Sequence, residues 1–393
     1  MRDLRSMRHF VLGMASCNTY LVSFLYKHLC RKLSKSEESL IADICTIDTI
    51  SNPFGLLDLK RGFESGKFKY SKDKNFNNLN IYGYWRSLFP FLNLDDAALL
   101  PSIEHGLILA DDVYEDICLT GRCSVVTFGS YRQEIIRRKT SLPVFTVGPY
   151  IQYAQDFYSE ERLSKEKKKN GKTLLVFPGH STDECEVNRQ IKHQIGQIKK
   201  CAEGFKTVII SVFWWDLDDA MVKAFQAEGF KIACSGFRDD SAFASRLKTM
   251  IRLSDVVLSD GIGTHVGFCR ALGREVVLMN SGSIKRTGEW ERQREGAINS
   301  ATQEIVGALS EQGSSYERRT MEHYWGLGIK RTQNELQTIA SISRDITWET
   351  KGFRRHASNA AERLLLRYQA EKNDLAASLL ASALKGEGYS VRE

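Results

Sequence analysis

Three short stretches of the 393-residue chain gather residue types that can do chemistry. The first runs Ser259, Asp260, Gly261, Ile262, Gly263, Thr264, His265, between one apolar run and a helix-like segment. Its glycines let a backbone turn sharply and come close to a ligand. Thr264 sits where the helix would begin, and the free N–H groups of a helix start attract phosphate or diphosphate. The second stretch is "PGHSTDE", in which Gly179, His180, Ser181 and Thr182 offer amides, an imidazole and two hydroxyls to an anion. Ser181 or Thr182 serves equally well as a helix cap, with Asp183, Glu184 and Glu186 favouring the dipole behind it. The third is "IEHGL", where Glu104 or His105 has the proton affinity to take a proton from a hydroxyl. The alternative is a hydrogen-bonded loop histidine with Glu104 as its partner. A fourth turn, "CSGFRDDS", adds Gly236 and Phe237.

These residues need elements to hold them. In "KTLLVF", "KTVIIS", "KIAC", "DVVLSD" and "EVVLM", short buried strands alternate with helical segments. That alternation is expected of an α/β, doubly wound parallel sheet. In such sheets ligands sit beyond the carboxyl ends of the strands. The turns at 178–184, 213–219, 235–241 and 259–265 would then all face one edge. Earlier, "HFVLGM", "LIADICTI", "SVVTFGS" and "PVFTVG" read as strands of a first domain, with a polar insertion over 50–80. The charge run "SEERLSKEKKKNGK" reads as a linker or helix end. A helix is expected from about Asp183 to Cys201. The expected organisation is a first Rossmann-like domain over 1–158, a second over 172–285, and a mostly helical extension over 286–393 whose last helix packs back on the first domain. "VGPYIQYA" would shape the exit from the first domain, Tyr150 being a hinge residue or a platform for a sugar.

Composition narrows the partners. A formal net charge of +7 and a pI near 8.8 suit an anionic ligand or surface. Without a dense basic and aromatic stripe they do not suit nucleic acid. The nine cysteines form no CxxC pair, so reduced thiols are expected rather than zinc or disulfides. The apolar stretch near the N-terminus is too short and too interrupted to span a membrane. No GxGxxG follows the early strands, which argues against a Rossmann dehydrogenase. The basic segment "KGFRRHASNAAERLLLRYQ" reads as an amphipathic helix that packs inward or lies on an anionic membrane.

The run "SDGIGTHVGFCRALGREVVLM" resembles the carboxyl-terminal domain of GT-B glycosyltransferases. There a late strand, a Gly-rich turn and a helix hold the nucleotide diphosphate and ribose. Ala271, Leu272, Gly273, Val276 and Val277 fit the pattern. Gly267 and Phe268 stand near the position of the family's ribose-binding glutamate, and Glu275 replaces its usual proline. The His-Gly turn at 105–106 is similar to turns in polysaccharide-type members. The resemblance implies two Rossmann-like domains facing a cleft and transfer of a sugar from a nucleotide-activated donor to a glycan or lipid-linked acceptor. It also implies a role in surface polysaccharide synthesis, such as capsule or lipopolysaccharide O-antigen. By that likeness Gly179, His180, Ser181, Thr182, Gly236, Phe237, Ser259, Asp260, Gly261, Gly263, Thr264 and His265 serve the donor. His105 or Glu104 serves as base. The nucleotide-sugar is substrate, with no metal and no separate cofactor expected. The location implied is cytoplasmic, with peripheral contact at the inner face of the membrane left open. Two rivals stand beside it: a CDP-polyol phosphotransferase of the same fold, and a non-catalytic glycan-binding or scaffold subunit.

Overall fold

The computed structural model describes residues 54–65, 81–92, 99–114, 117, 122–180, 186–279, 284–287 and 295–386. It is an α/β protein with two parallel sheets. The chain divides into two compact units, changing over between Tyr150 and Ile151 and again between Met321 and Glu322. The first boundary thus precedes the charge run in which a linker was expected. That run forms the helix Glu160–Asn170, capped by Ser159, whose Oγ accepts from the Arg162 N–H. It is anchored within the second unit by buried Leu163 and by the Arg252–Glu160 ion pair. The expected helical extension is shared between the units, and the described residues 54–65 are grouped with the second.

The first unit holds β1 (Ser102–Ile103), β2 (Val125–Thr127) and β3 (Val144–Thr146), all parallel and adjacent in that order. Continuous burial of Val125, Val126, Val144 and Phe145 explains why these runs lack polar alternation. The helix Ser130–Thr140 makes the crossover from β2 to β3. The last helix, Asp374–Lys385, packs on β3, with Gln133 Nε2 donating to the Val144 and Ser382 carbonyls. Its alanines and leucines form the buried stripe.

In the second unit, β4 (Thr173–Phe177), β6 (Thr207–Ser211), β7 (Lys231–Ala233), β8 (Val256–Ser259) and β9 (Glu275–Leu278) form a five-stranded parallel sheet. Their spatial order is β7-β6-β4-β8-β9. Counted along the chain that is 3-2-1-4-5, so the direction of winding reverses between β4 and β8. β5 (Glu186–Arg189) and β10 (Ile284–Thr287) pair separately as an antiparallel ribbon. A strand therefore occupies 186–189, where a helix was expected, and the helix begins only at Ile191. The helix Phe54–Glu64 belongs to this unit too. Leu56, Leu57 and Leu59 enter its core beside Trp214 and Phe225, each burial worth about 1.5–3 kcal/mol.

Candidate functional site

The reversal of winding fixes where a ligand crevice opens: outside the carboxyl ends of β4 and β8. Phe177 and Ser259, the last residues of these strands, are partners in register. The chain leaves β4 through Pro178, Gly179 and His180, and leaves β8 through 260–263. Two of the stretches singled out by residue type therefore emerge side by side. Ser181 and Thr182, expected donor ligands, lie outside the described residues.

After β8, Gly261 takes φ 118°, which a side chain would resist, and Gly263 is extended at the cap of the helix Thr264–Ala271. No side chain caps that helix, and among its first amides the Val266 N–H bonds the Gly263 carbonyl. Asp260 is buried and accepts from Gln194 Nε2 at 2.8 Å, while its own N–H bonds the Phe177 carbonyl. Gln194 Oε1 is enclosed without a hydrogen-bond partner among the described residues. Asp260 thus ties the turn to β4 and to the helix Ile191–Cys201. Gln194 was not anticipated, because nothing in "HQIGQ" marks a partner 66 residues away.

His265 has a definable protonation state. Ser259 Oγ lies 2.6 Å from both the Gly261 carbonyl and His265 Nε2. One hydroxyl proton cannot serve both. The carbonyl can only accept, so Nε2 must donate, and Nδ1 keeps its lone pair. Burial, and secondarily the neighbouring His180 imidazole, lower the pKa of His265 from 6.5 to about 3. Part of its surface is still accessible, and its ring packs 4.7 Å from that of Phe177. A neutral ring donating to Ser259 braces the glycine turn. At neutral pH it carries no positive charge to offer a phosphate.

This state makes stability depend on pH. Between about pH 6.5 and 3 the unfolded chain holds a proton that folded His265 refuses. The contribution of His265 is therefore complete above pH 6.5 and is lost as pH falls toward 3. The melting-temperature gap between the wild type and His265→Gln is expected to be widest at pH 7.5 and to narrow by pH 4.5. A gap that stays constant over that range would show that His265 is not the titrating group.

The remaining loops of this unit are mostly structural. His180 is exposed, with its ring 4.7 Å from that of Phe213. Gly236 turns at φ 97° but is buried, and Phe237 is wholly enclosed, edge-on to Trp214. Phe237 has no face left for a ligand. The expectation for it is corrected: its side chain belongs to the core. Arg246 is spent on Asp240 and the Ser235 carbonyl, Lys248 on the Ala154 carbonyl, and Arg252 on Asp156 and Glu160. The thiols of Cys234 and Cys269 are pushed up by burial, Cys234 to about 12, so neither is a nucleophile at neutral pH. Among the described residues no cluster of His, Cys, Asp or Glu has the makings of a metal site.

In the first unit Glu104 and His105 follow β1, but they part company. Glu104 is fully buried. Its Oε1 accepts from Arg132 Nε and Nη2 at 2.9 and 2.7 Å, and its Oε2 from Thr127 Oγ1 at 2.5 Å. Arg132 also donates to the carbonyls of Ile108, Ala110 and Asp112, which shapes the loop carrying His105. A carboxylate enclosed in this way cannot meet a substrate hydroxyl, so Glu104 is a positioning residue and not a base. His105 keeps partial exposure, its ring 4.1 Å from that of Tyr114. Tyr150 is buried and stacked on Phe128 at 4.4 Å, which removes it as a sugar platform.

Compared with known proteins, the chain matches no family model, and no relative was found among the curated proteins. The described residues include no helix long and apolar enough to cross a membrane.

Proposed function

We propose that the protein is a glycosyltransferase of GT-B type that uses a nucleotide-activated sugar. The observation carrying this reading is the coincidence of the winding reversal with the glycine turn at 261–263 and an uncapped helix start at Thr264. In this reading the amides of that helix start and the Thr264 hydroxyl take the donor diphosphate, and Gly179 and His180 approach it from the β4 side. They stabilise the charge that grows on the phosphate as the sugar leaves. His105 accepts the proton from the acceptor hydroxyl, which is a glycan or a lipid-linked sugar. His265, Ser259, Asp260 and Gln194 hold the turn in shape and do not touch the phosphate. A CDP-polyol phosphotransferase would use the same turn and differ in its products.

The test is a thermal-shift panel of UDP, GDP, CDP, CMP and dTDP on the wild type and on Thr264→Ala. A ligand bound only to the folded state raises apparent stability by about 2.7 kcal/mol at 100 times its Kd. A stabilising shift with one nucleotide, weakened in the variant, supports the reading and names the donor class. The absence of a shift with all five would favour the scaffold alternative. Release of CMP from a CDP-polyol, in place of a nucleoside diphosphate from its sugar, would favour the phosphotransferase.

A further inference from the structure

The helix of the basic segment near the C-terminus buries most of its apolar residues, with Leu366, 67% exposed, the exception. In the helix Ala357–Ala370 the apolar side (Ala357, Ala360, Ala361, Leu364, Leu365, Tyr368) is buried. What it leaves outside is the turn before it. Trp348 is 63% exposed and Phe353 41%, at the tip where the helix Gln333–Glu349 gives way to the next. Lys351, Arg355 and His356 are exposed on the same tip, and Arg354 is partly so. Arg355 lies 5.7 Å from the centre of the Phe353 ring.

This tip is built. Lys351 and Gly352 turn the chain at φ 50° and 76°. The N–H groups of Gly352 and Phe353 bond the Thr347 and Thr350 carbonyls. Arg354 Nη1 donates to the Ile117 carbonyl at 2.8 Å, which pins the turn to the rest of the unit. Large aromatic groups are thus held in solvent on a backbone that has already given up its freedom. Among the described residues, Glu349 is paired with Arg363 and Arg367, and Asp345 accepts from Tyr368 and faces Arg367.

We infer that this aromatic and basic tip is a peripheral docking site for an anionic lipid bilayer. Tryptophan and phenylalanine enter the headgroup boundary, and lysine and arginine meet the lipid phosphates. Each cation near an anionic leaflet strengthens the attachment, and salt weakens it. A turn that carries two exposed rings beside exposed Lys351 and Arg355 suits a broad fluid surface. The inference does not depend on the reaction proposed above.

The experiment is co-sedimentation of the full chain with vesicles of 30% phosphatidylglycerol in phosphatidylcholine, at low and high salt. The wild type is expected to pellet with these vesicles at low salt and to be released at high salt. Trp348→Ser with Phe353→Ser, and separately Lys351→Gln with Arg355→Gln, are expected to bind about tenfold more weakly or worse, with unchanged melting temperature. Val306→Ser, at another exposed apolar residue, is expected to bind as the wild type. Failure of the wild type to bind, equal binding by the tip variants, or equal loss in Val306→Ser would overturn the proposal. If a tip variant melts lower, blue-shifted tryptophan emission of the wild type on vesicle addition, absent in Trp348→Phe, decides instead.

Discussion

Replacing Arg132 by methionine is expected to cost the first unit about 3–5 kcal/mol, because it leaves the Glu104 carboxylate buried without its counter-charge. Both side chains are wholly enclosed, so neither can recover its loss from water. The substitution also removes three bonds to the carbonyls of Ile108, Ala110 and Asp112. Urea unfolding measures the effect. Adding Glu104→Leu to Arg132→Met is expected to restore part of the loss, since a buried pair replaced as a pair strands no charge. Recovery stays incomplete because the three carbonyls still lack their donor. The contrast with a catalytic role is direct. A base could be changed to Gln with activity lost and stability kept, whereas Glu104→Gln is expected to lower stability first. If Glu104→Gln melts like the wild type, the buried ion pair is not the reason Glu104 is there.

Glu104 shows why the candidate site was only partly legible. The sequence displays a Glu next to a His, and proton transfer is the chemistry that pair suggests. The partner that consumes the carboxylate is Arg132, 28 residues later and inside what reads only as a charged helix. Phe237 misled in the same way: a ring after a glycine resembles part of a donor-side loop until Trp214 is seen against it. The turn at 259–265 was legible because its signal is local. Glycines at a strand end and a hydroxyl at a helix start carry their geometry with them.

The fold divides along the same line. β4, β6 and β8 are apolar runs of four or five residues between helical segments, and a strand buried on both faces needs nothing more to be read. β5 and β10 are "EVNR" and "IKRT", short and polar, and only their mutual pairing makes them strands. The division into units was less legible still. That Leu56, Leu57 and Leu59 want burial is plain, but their amphipathic helix does not say which core will take them.

The last helices raise the same question at closer quarters, and three glycines answer it. Gly129 follows β2, Gly148 follows β3, and Gly326 ends the helix Ser315–Trp325. A Cβ on Gly148 would stand 2.1 Å from the Ile329 carbonyl oxygen and 2.9 Å from that of Gly326. One on Gly129 would meet the Gly326 nitrogen at 2.7 Å and the Glu322 and His323 carbonyls at 2.8 Å. The obstacles are backbone atoms, which cannot swing aside as side chains do. The close approach lets the chain at 322–329 seal the carboxyl ends of β2 and β3, where Ser130 Oγ and His323 Nδ1 meet at 3.0 Å. Gly148 also sits at φ 71°. Gly148→Ala therefore combines left-handed strain of about 1–3 kcal/mol with crowding of about 1–3 kcal/mol, for an expected loss of about 4 kcal/mol. Gly129→Ala, at φ −123°, isolates the crowding and is expected to cost about half as much. Gly229→Ala, at φ 77° with nothing within 4 Å, isolates the strain at about 1 kcal/mol. Urea unfolding of the three variants, followed by hydrogen exchange to assign each loss to its unit, measures the separation. If Gly148→Ala proved no worse than Gly229→Ala, the segment 326–329 could move away at little cost, and it would be a loose cover over β2 and β3 instead of a seal.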